Sequence, residues 1–564
     1  MSRFAQEYDA IVIGSGMTGG WAAKELTERG LKTLMIESGR NVDHIKDYPT
    51  TNMMPWEFAH RGTVPQELRD QYPSTNTHYI FSESTLHFLK KDAEQEYIQD
   101  RPFSWVRGDQ VGGRSLLWAR ATQRWSDYDF GGPLRDGYAV DWPIRYKDIA
   151  LWYSHVERFI GVSGNRDGLA SLPDGEFLPP FDLTCAEKHF QGKVKAAYKD
   201  RHIITGRVAN ISEAKDIHYQ QGRATCQRRT ICERGCPFGG YFSSNASTIP
   251  WAKKTGKFTL LTDSIVHSVI YDEQKQRAVG VRVIDKKTGN ITEYGARLVS
   301  VNASAMNSNL VLLNSTSNRF PNGLGNDNGL MGTHIAFHSF RGRVMADYDG
   351  LKDFTTDGRR PTSGYMPRFR NLLKQEADFL RGYSASIHSD RSHTLYGDDF
   401  GESLKRNIMS KDLGPWQISA QMMGETIPKA TSTLRLDPDK KDKYGMPQLR
   451  FSVGYDDNDD KMQQDFYTEL SAMFEKAGFK NIRTGDTNRK PGNENHEMGG
   501  VRMGHDPKTS LLNRWNQLHL CKNVLVTDGA CMVSTSTQNP SLTYMALTAR
   551  AVDHAVAELK KGSI

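Results

Sequence analysis

Residues 8–21, Tyr8-Asp-Ala-Ile-Val-Ile-Gly-Ser-Gly-Met-Thr-Gly-Gly-Trp21, decide how this 564-residue chain is read. Ala10 to Ile13 form the short apolar run of a buried parallel strand and lead directly into Gly14, Gly16, Gly19 and Gly20, ahead of an Ala/Leu-rich segment. Strand, tight turn and helix start follow one another, as in a dinucleotide-binding βαβ unit. Gly14 permits the turn, Gly16 lets the backbone approach a pyrophosphate, and Gly19 lets the helix pack closely on the sheet. The phosphate charge then faces the amides of the helix start, at Met17 and Thr18. Leu31 to Ile36 give the next strand, and Glu37 at its end is placed to accept hydrogen bonds from an adenosine ribose. The expectation is an α/β protein that binds an adenine dinucleotide.

The bulk properties narrow the class. Hydrophobic residues make up 37% and charged residues 25% of the chain, the balance of a globular protein, and no run approaches the roughly 18 apolar residues of a membrane span. The first strand begins within the first ten residues, so no secretory leader is read and a cytoplasmic location is expected, unless a leader was removed or the protein is exported to the periplasm with a signal-bearing partner. The net charge of +7 is dispersed, which argues against a nucleic-acid surface. Six cysteines are too few for a disulfide scaffold of this size.

Along the chain, residues 40–100 are rich in Asp, Pro, Asn, Thr and Tyr, and read as a long excursion that covers the cofactor or contributes an oligomer contact. At Val106-Arg-Gly-Asp-Gln-Val-Gly-Gly-Arg-Ser-Leu-Leu-Trp118, Gly112 and Gly113 allow backbone to pass close to a flat ligand that Trp118 walls; the plainer reading is a surface turn with a core tryptophan. Tyr146 to Phe159 reads as a scaffold helix with an apolar stripe. Cys226, Cys232 and Cys236 form a cluster in which soft thiolates suit a three-iron cluster, or zinc with the remote His218; reduced structural thiols are the favoured reading. Segments 243–252 and 258–301 read as a helix and a strand meander.

Residues 335–490 change character, with strand-like pieces and one amphipathic helix over 459–477, and read as an antiparallel substrate-binding sheet backed by helices. Residues 491–564 return to the first domain through His496-Glu-Met-Gly-Gly500, a strand ending in Asp528 and Gly529, and Thr537-Gln-Asn-Pro-Ser-Leu-Thr543 at a helix start. The predicted organisation is a two-domain (α+β) chain: 1–334 as the cofactor domain with insertions, 335–490 as the substrate domain, and 491–564 as the return.

Taken in order over nearly the full length, these motifs resemble the GMC (glucose-methanol-choline) flavin oxidoreductases. Within them the likeness is to the sugar-oxidising branch of pyranose oxidases, glucoside 3-dehydrogenases and the flavin subunits of gluconate, fructose and glucose dehydrogenases. The resemblance implies a Rossmann-like FAD domain, with FAD held by Gly14, Gly16, Met17, Thr18, Gly19, Glu37, Gly112, Gly113, Trp118, Val266, Asp528, Gly529, Pro540, Leu542 and Thr543. It implies His496 as catalytic base and Asn539 as its partner. The implied reaction oxidises a secondary hydroxyl of a pyranose or glycoside, at C3 in one version, with hydride passing to flavin N5. Electrons then reach a quinone, a cytochrome or an artificial acceptor, with a small export or assembly subunit as a further partner. An oxidase releasing hydrogen peroxide and a noncatalytic flavin-binding assembly subunit are the alternatives. Without the resemblance, a histidine beside a double glycine is more often a satisfied turn residue.

Chemistry supports the residue types, because alcohol oxidation needs a neutral base for the hydroxyl proton and an uncharged partner to hold the hydroxyl. Three departures stand out. Arg114-Ser-Leu-Leu-Trp118 lacks the histidine through which some relatives attach FAD, so the cofactor is expected to be non-covalent. Gln227 follows Cys226 where cluster-bearing relatives have adjacent cysteines, so an iron-sulfur cluster is not favoured. The relatives' Ala-Gly-Ala after the late strand is Ala303-Ser-Ala305 here, preceded by Asn302, which raises the question of how the backbone packs there.

Overall fold

Ala10, Ile11, Val12 and Ile13 are all buried, as a strand with helices on both faces requires. They belong to strand Gln6–Ile13 in a computed structural model that describes residues 3–138, 140–354, 361–391, 399–410 and 413–564. This strand lies inside a mainly parallel eight-stranded sheet. The order across the sheet is Gln517–Leu518, Cys521–Val526, Ile291–Val301, Gln6–Ile13, Thr33–Ile36 and Phe258–Leu261, with the Ser264–Asp272 and Arg277–Asp285 hairpin joined to Ile291–Val301. Ile13 pairs in register with Ile36 and Val301, and Val301 with Val526. The four carboxyl ends are therefore level, and the residues just after them line one crevice, where open α/β sheets bind ligands. Helix Met17–Glu28 packs against helices Thr248–Lys254 and Ser541–Lys561.

A second, seven-stranded sheet is antiparallel, in the order Lys480–Asp486, Gly342–Tyr348, Trp416–Glu425, Tyr383–Asp390, Gly364–Met366 and Ile204–Thr205, with His338–Ser339 paired to Trp416–Glu425. Its pleat separates two chemistries, because successive side chains point to opposite faces. Val344, Ala346, Ala385, Ile387, Ile418, Ala420 and Met422 face helix Asp457–Lys476 and pack on its Met462, Phe466, Leu470, Met473 and Phe474. The alternate residues Arg343, Ser386, His388 and Ser419 face a cavity instead. The helix forms because apolar residues recur at 3.6-residue spacing and because Asp456 caps it, accepting from the amides of Asn458 and Asp459.

The 40–100 excursion runs over the same cavity, to which it contributes His78, Tyr79, Ile80, Lys90, Glu94 and Gln95. Its strand Tyr97–Gln99 completes a third sheet with Thr433–Lys441 and Pro447–Ser452. Among the described residues no helix is long and apolar enough to cross a membrane.

Phe466 is fully buried, and its ring meets Tyr383 edge-on at 5.4 Å between centroids. Phe466→Ala is expected to destabilise the protein by roughly 3–5 kcal/mol through lost burial and a residual cavity, measured by urea unfolding. A loss below about 1 kcal/mol, the scale of a tolerated core swap, would show that this helix does not anchor the sheet.

Candidate active site

The crevice at the strand ends begins with a steric fit. Gly14 has φ +94°, and a Cβ there would stand 2.4 Å from the Asn302 carbonyl oxygen; a Cβ at Gly19 would stand 1.9 Å from the Gly14 oxygen. Neither position admits a side chain. Nothing lies within 4 Å of the corresponding point at Gly16, where the backbone opens on the cavity. Gly16 is also the N-cap of helix Met17–Glu28 and offers no side-chain cap. Its first-turn amides are left for an anion, as a pyrophosphate site requires.

Ser15 joins this turn to two other segments. Its amide and hydroxyl donate to Glu37 Oε2 at 3.0 and 2.6 Å, while its hydroxyl accepts from the Gly112 amide at 2.9 Å. Glu37 Oε1 accepts from the Gly39 amide at 2.8 Å, which fixes the carboxylate on the wall. The cavity has a volume of about 950 Å³ and runs from Glu37 and Val266 past Gly16, Gly113 and Trp118 to Asp528, His496 and Asn539. Trp118 is held in place by its indole N–H, which donates to the Phe242 carbonyl at 2.9 Å.

At the far end two histidines meet. His496 Nδ1 lies 2.8 Å from His338 Nδ1, and the two rings are edge-to-face. His338 Nε2 lies 3.0 Å from the carbonyl oxygens of both Thr535 and Ser536. Carbonyls only accept, so His338 carries its proton on Nε2 and presents an Nδ1 lone pair. His496 must then donate from Nδ1, which leaves its own Nε2 unprotonated. His496 lines the cavity, and no described residue hydrogen-bonds to that Nε2. Both rings are neutral: burial lowers the pKa of His338 to about 4, and burial, with His338 and Arg114 nearby, holds His496 well below the ordinary range. Asn539 lines the same end, and its side chain makes no hydrogen bond among the described residues.

The His496 segment is clamped to the glycine loop. Arg114 donates to Glu497 Oε1 and Oε2 at 2.9 and 2.6 Å. Asp528 accepts from the Ser308 hydroxyl at 2.5 Å and from the Ala530 amide at 3.0 Å, and burial pushes its carboxyl up to about 6. Gly529 lets the segments cross, since a Cβ there would stand 2.2 Å from the Glu497 carbonyl.

Of the residues picked from sequence, Gly14, Gly16, Met17, Thr18, Glu37, Gly113, Trp118, Val266, His496, Asp528, Gly529 and Asn539 line one cavity. Gly19 and Gly112 stand behind the wall and support it. Pro540, Leu542 and Thr543 lie off the wall: Pro540 is the N-cap of helix Ser541–Lys561, Leu542 is in the core, and the Thr543 hydroxyl lies 2.8 Å from that of Tyr153. Ser541 and Tyr544, on the other side of that helix, line the cavity in their place. Cys226, Cys232 and Cys236 are free thiols away from the cavity wall. Among the described residues no group of three His, Cys, Asp or Glu is placed to hold a metal ion. His338, Ser15 and the Arg114–Glu497 pair carry no sequence signal and emerge only from the fold.

Ser304 shows how the backbone packs after the late strand. It has φ +74° and ψ 155°, a region that is essentially glycine-only, and it lines the cavity beside Ala303 and Ala305.

A level strand-end crevice, an uncapped helix start behind Gly16 and a fixed acid beyond it make the cradle of an FAD-binding oxidoreductase. Family models described as GMC oxidoreductase match residues 8–327 and 428–548. The chain is 26% identical to 2-methyl-1,2-propanediol dehydrogenase of Mycolicibacterium austroafricanum, over 98% of this chain and 96% of that one. It is 23% identical to the fructose dehydrogenase large subunit of Gluconobacter japonicus, over the full length of both. The fold matches formate oxidase of Aspergillus oryzae RIB40 with a TM-score of 0.62 at 13% identity, over 99% of this chain and 100% of that one. The chain belongs to the GMC oxidoreductase family and binds FAD. These relatives are named for a diol, a sugar and formate, so the likeness is to the family at large and not to a sugar-oxidising branch.

Holding a serine in the conformation of Ser304 costs about 1–3 kcal/mol, whereas a glycine adds roughly 0.5–1 kcal/mol of unfolded-state entropy. Strain relief outweighs that entropy, so Ser304→Gly is expected to raise the apparent melting temperature of the FAD-free protein. An unchanged or lower midpoint would count against the strain.

Proposed function

We propose that the protein oxidises a secondary hydroxyl of a pyranose or glycoside to the ketone, with His496 as the base. The observation that carries this reading is the His338–His496 contact, which leaves one unprotonated imidazole nitrogen on the wall of a cavity that an unpartnered Asn539 also lines. The wall above supports a polyhydroxylated substrate: Ser386, His388, Ser389 and Ser419 replace the apolar lining usual for a hydrophobic ligand.

His496 Nε2 takes the hydroxyl proton while Asn539, uncharged, holds the same oxygen by hydrogen bonding. As His496 becomes an imidazolium, its Nδ1–H bond to the His338 lone pair becomes charge-assisted and strengthens, so His338 favours the state in which the proton has moved. Bound FAD supplies the acceptor for the hydride leaving the same carbon. Arg114 and Glu497 keep the His496 backbone in place, and Trp118 walls the cofactor side. FAD is held without a covalent bond to residues 114–118, none of which is a histidine. Electrons then leave to a quinone or cytochrome acceptor.

His496→Ala is expected to slow flavin reduction by roughly 10²–10⁴-fold, the usual worth of a general base, with FAD content unchanged in stopped-flow traces on a methyl glucoside; reduction at the wild-type rate would remove His496 from the chemistry. The sign of the pH dependence follows from the lowered pKa. A base that is neutral above a depressed pKa loses activity only as pH falls through that value, so kcat/KM should stay level through the ordinary histidine range near ~6.5. His338→Ala should slow reduction and shift the acid limb. A wild-type limb at the ordinary histidine value, unmoved in this variant, would overturn the positioning role.

A further inference from the structure

Two guanidinium groups on the cavity wall have no hydrogen-bonded or ion-paired partner among the described residues. Arg343 lies in strand Gly342–Tyr348, and the pleat turns it away from the helix-packed face on which Val344 and Ala346 lie. Arg489 follows the neighbouring strand Lys480–Asp486, which pairs antiparallel with Gly342–Tyr348. Both line the cavity. Other arginines of the chain are committed to acids: Arg341 to Asp460 and Asp486, Arg370 to Asp465 and Glu469, and Arg114 to Glu497.

None of the nearby acids forms a hydrogen bond or ion pair with either guanidinium among the described residues. Asp486 and Glu497 are the partners of Arg341 and Arg114. Glu494 also lines the wall, but it is buried and neither carboxyl oxygen finds a hydrogen-bond partner. Burial raises its pKa, and the nearby Arg489 opposes that shift. Burial lowers the pKa of Arg489; the nearby Glu494 carboxyl opposes that shift and the like charge of Arg343 adds to it. Two guanidinium forks left unfilled on the same wall attract an anion, and their planar geometry suits a carboxylate, sulfate or phosphate.

The wall is close to the proposed reaction centre. Phe340, at the head of the same segment, meets the His496 ring at 5.8 Å between centroids. Glu494 is two residues from His496 in sequence. A sugar whose hydroxyl reached His496 and Asn539 would bring its other substituents toward the sheet.

We propose that Arg343 and Arg489 form an oxyanion subsite, so that the preferred substrate is an acidic sugar: a glycoside bearing a carboxylate, sulfate or phosphate away from the oxidised carbon. The proposal rests on the sugar-oxidation reading and refines its substrate class.

The test compares the holoenzyme on methyl glucoside, methyl glucuronide, glucose 6-sulfate and glucose 6-phosphate by stopped-flow flavin reduction. At least one acidic sugar is expected to exceed the neutral glucoside by tenfold or more in kcat/KM, with the preference shrinking as salt rises. Which acidic sugar is fastest distinguishes carboxylate from ester. Arg343→Gln and Arg489→Gln should each cut the acidic-to-neutral ratio about tenfold by raising KM more than they lower kcat, and Arg343→Lys should restore part of it. A neutral glucoside that matches every acidic sugar, with a ratio unmoved by either substitution, would overturn the subsite and leave sugar oxidation intact. If no sugar reduces the flavin, the sugar reading fails; titration with glucuronate, read by perturbation of the FAD spectrum, then decides the subsite alone. Binding weakened tenfold by the substitutions would support it, and no binding or unchanged binding would overturn it.

Discussion

The site depends on how closely three chain ends meet at Asn302. Its amide donates to the Ile13 carbonyl at 2.9 Å, its side-chain amide donates to the Thr527 hydroxyl at 2.7 Å, and its side-chain oxygen accepts from the Ser300 hydroxyl at 2.7 Å. Its own carbonyl occupies the place where a Gly14 side chain would be. Three strand ends, each remote in sequence from the others, are thereby held at one level, and the buried polar groups of Asn302 are paired as burial demands. The cost appears two residues later, at Ser304, where the chain turns from the strand into helix Ala305–Leu313 through a backbone conformation that suits glycine. Strain next to a ligand wall is tolerated when the surroundings over-determine it, and here the Asn302 bonds and the Ser308 hydroxyl, which accepts from the Ala303 amide at 3.1 Å, do so.

The two histidines use burial in a different way. An imidazolium at His338 would lie in a fully buried site with carbonyls on one nitrogen and another imidazole on the other. Desolvation outweighs the help of two carbonyls, so the ring stays neutral. Neutrality is what makes the pair directional: one ring's tautomer is set by the main chain, and it sets the tautomer of the next. A lone His496 would divide its population between two tautomers, one of which puts a proton where a base needs a lone pair. In the proposed role of base, the low pKa would reduce the thermodynamic drive for proton transfer, and a charge-assisted bond to His338 would offset part of that loss.

Much of the fold was legible because it rests on short-range pattern. Gly14 to Glu37 combine strand, turn and acid within one βαβ unit, and helix Asp457–Lys476 repeats apolar residues at a helical period. The long helix read over 243–252 begins only at Thr248. Ser244 donates to the Gly16 carbonyl at 2.9 Å and Asn245 to the Val42 and Val111 carbonyls, so these side chains bind other loops and hold their own backbone out of a helix. Leu542 and Thr543 illustrate the reverse. The motif marked the right helix start, but helical spacing sends Ser541 and Tyr544 to the cavity and Leu542 and Thr543 to the opposite side. His338, Arg343 and Arg489 have no local signature, because their meaning comes from strand pairing across more than a hundred residues.

The cavity divides into a floor and a roof built on different principles. The floor that holds FAD is built of main chain: glycines that admit no side chain, amides at a helix start, and a serine and a glutamate that fix two loops. Little there can vary without closing the crevice. The roof is one face of an antiparallel sheet whose other face is locked to a helix by apolar packing. Residues at alternate positions on that roof change the cavity's chemistry while the packed face keeps the strands in register. Changes on the roof are therefore separable from the glycine-built floor in this architecture, and Arg343, Ser386, His388 and Ser419 are roof residues that line the cavity.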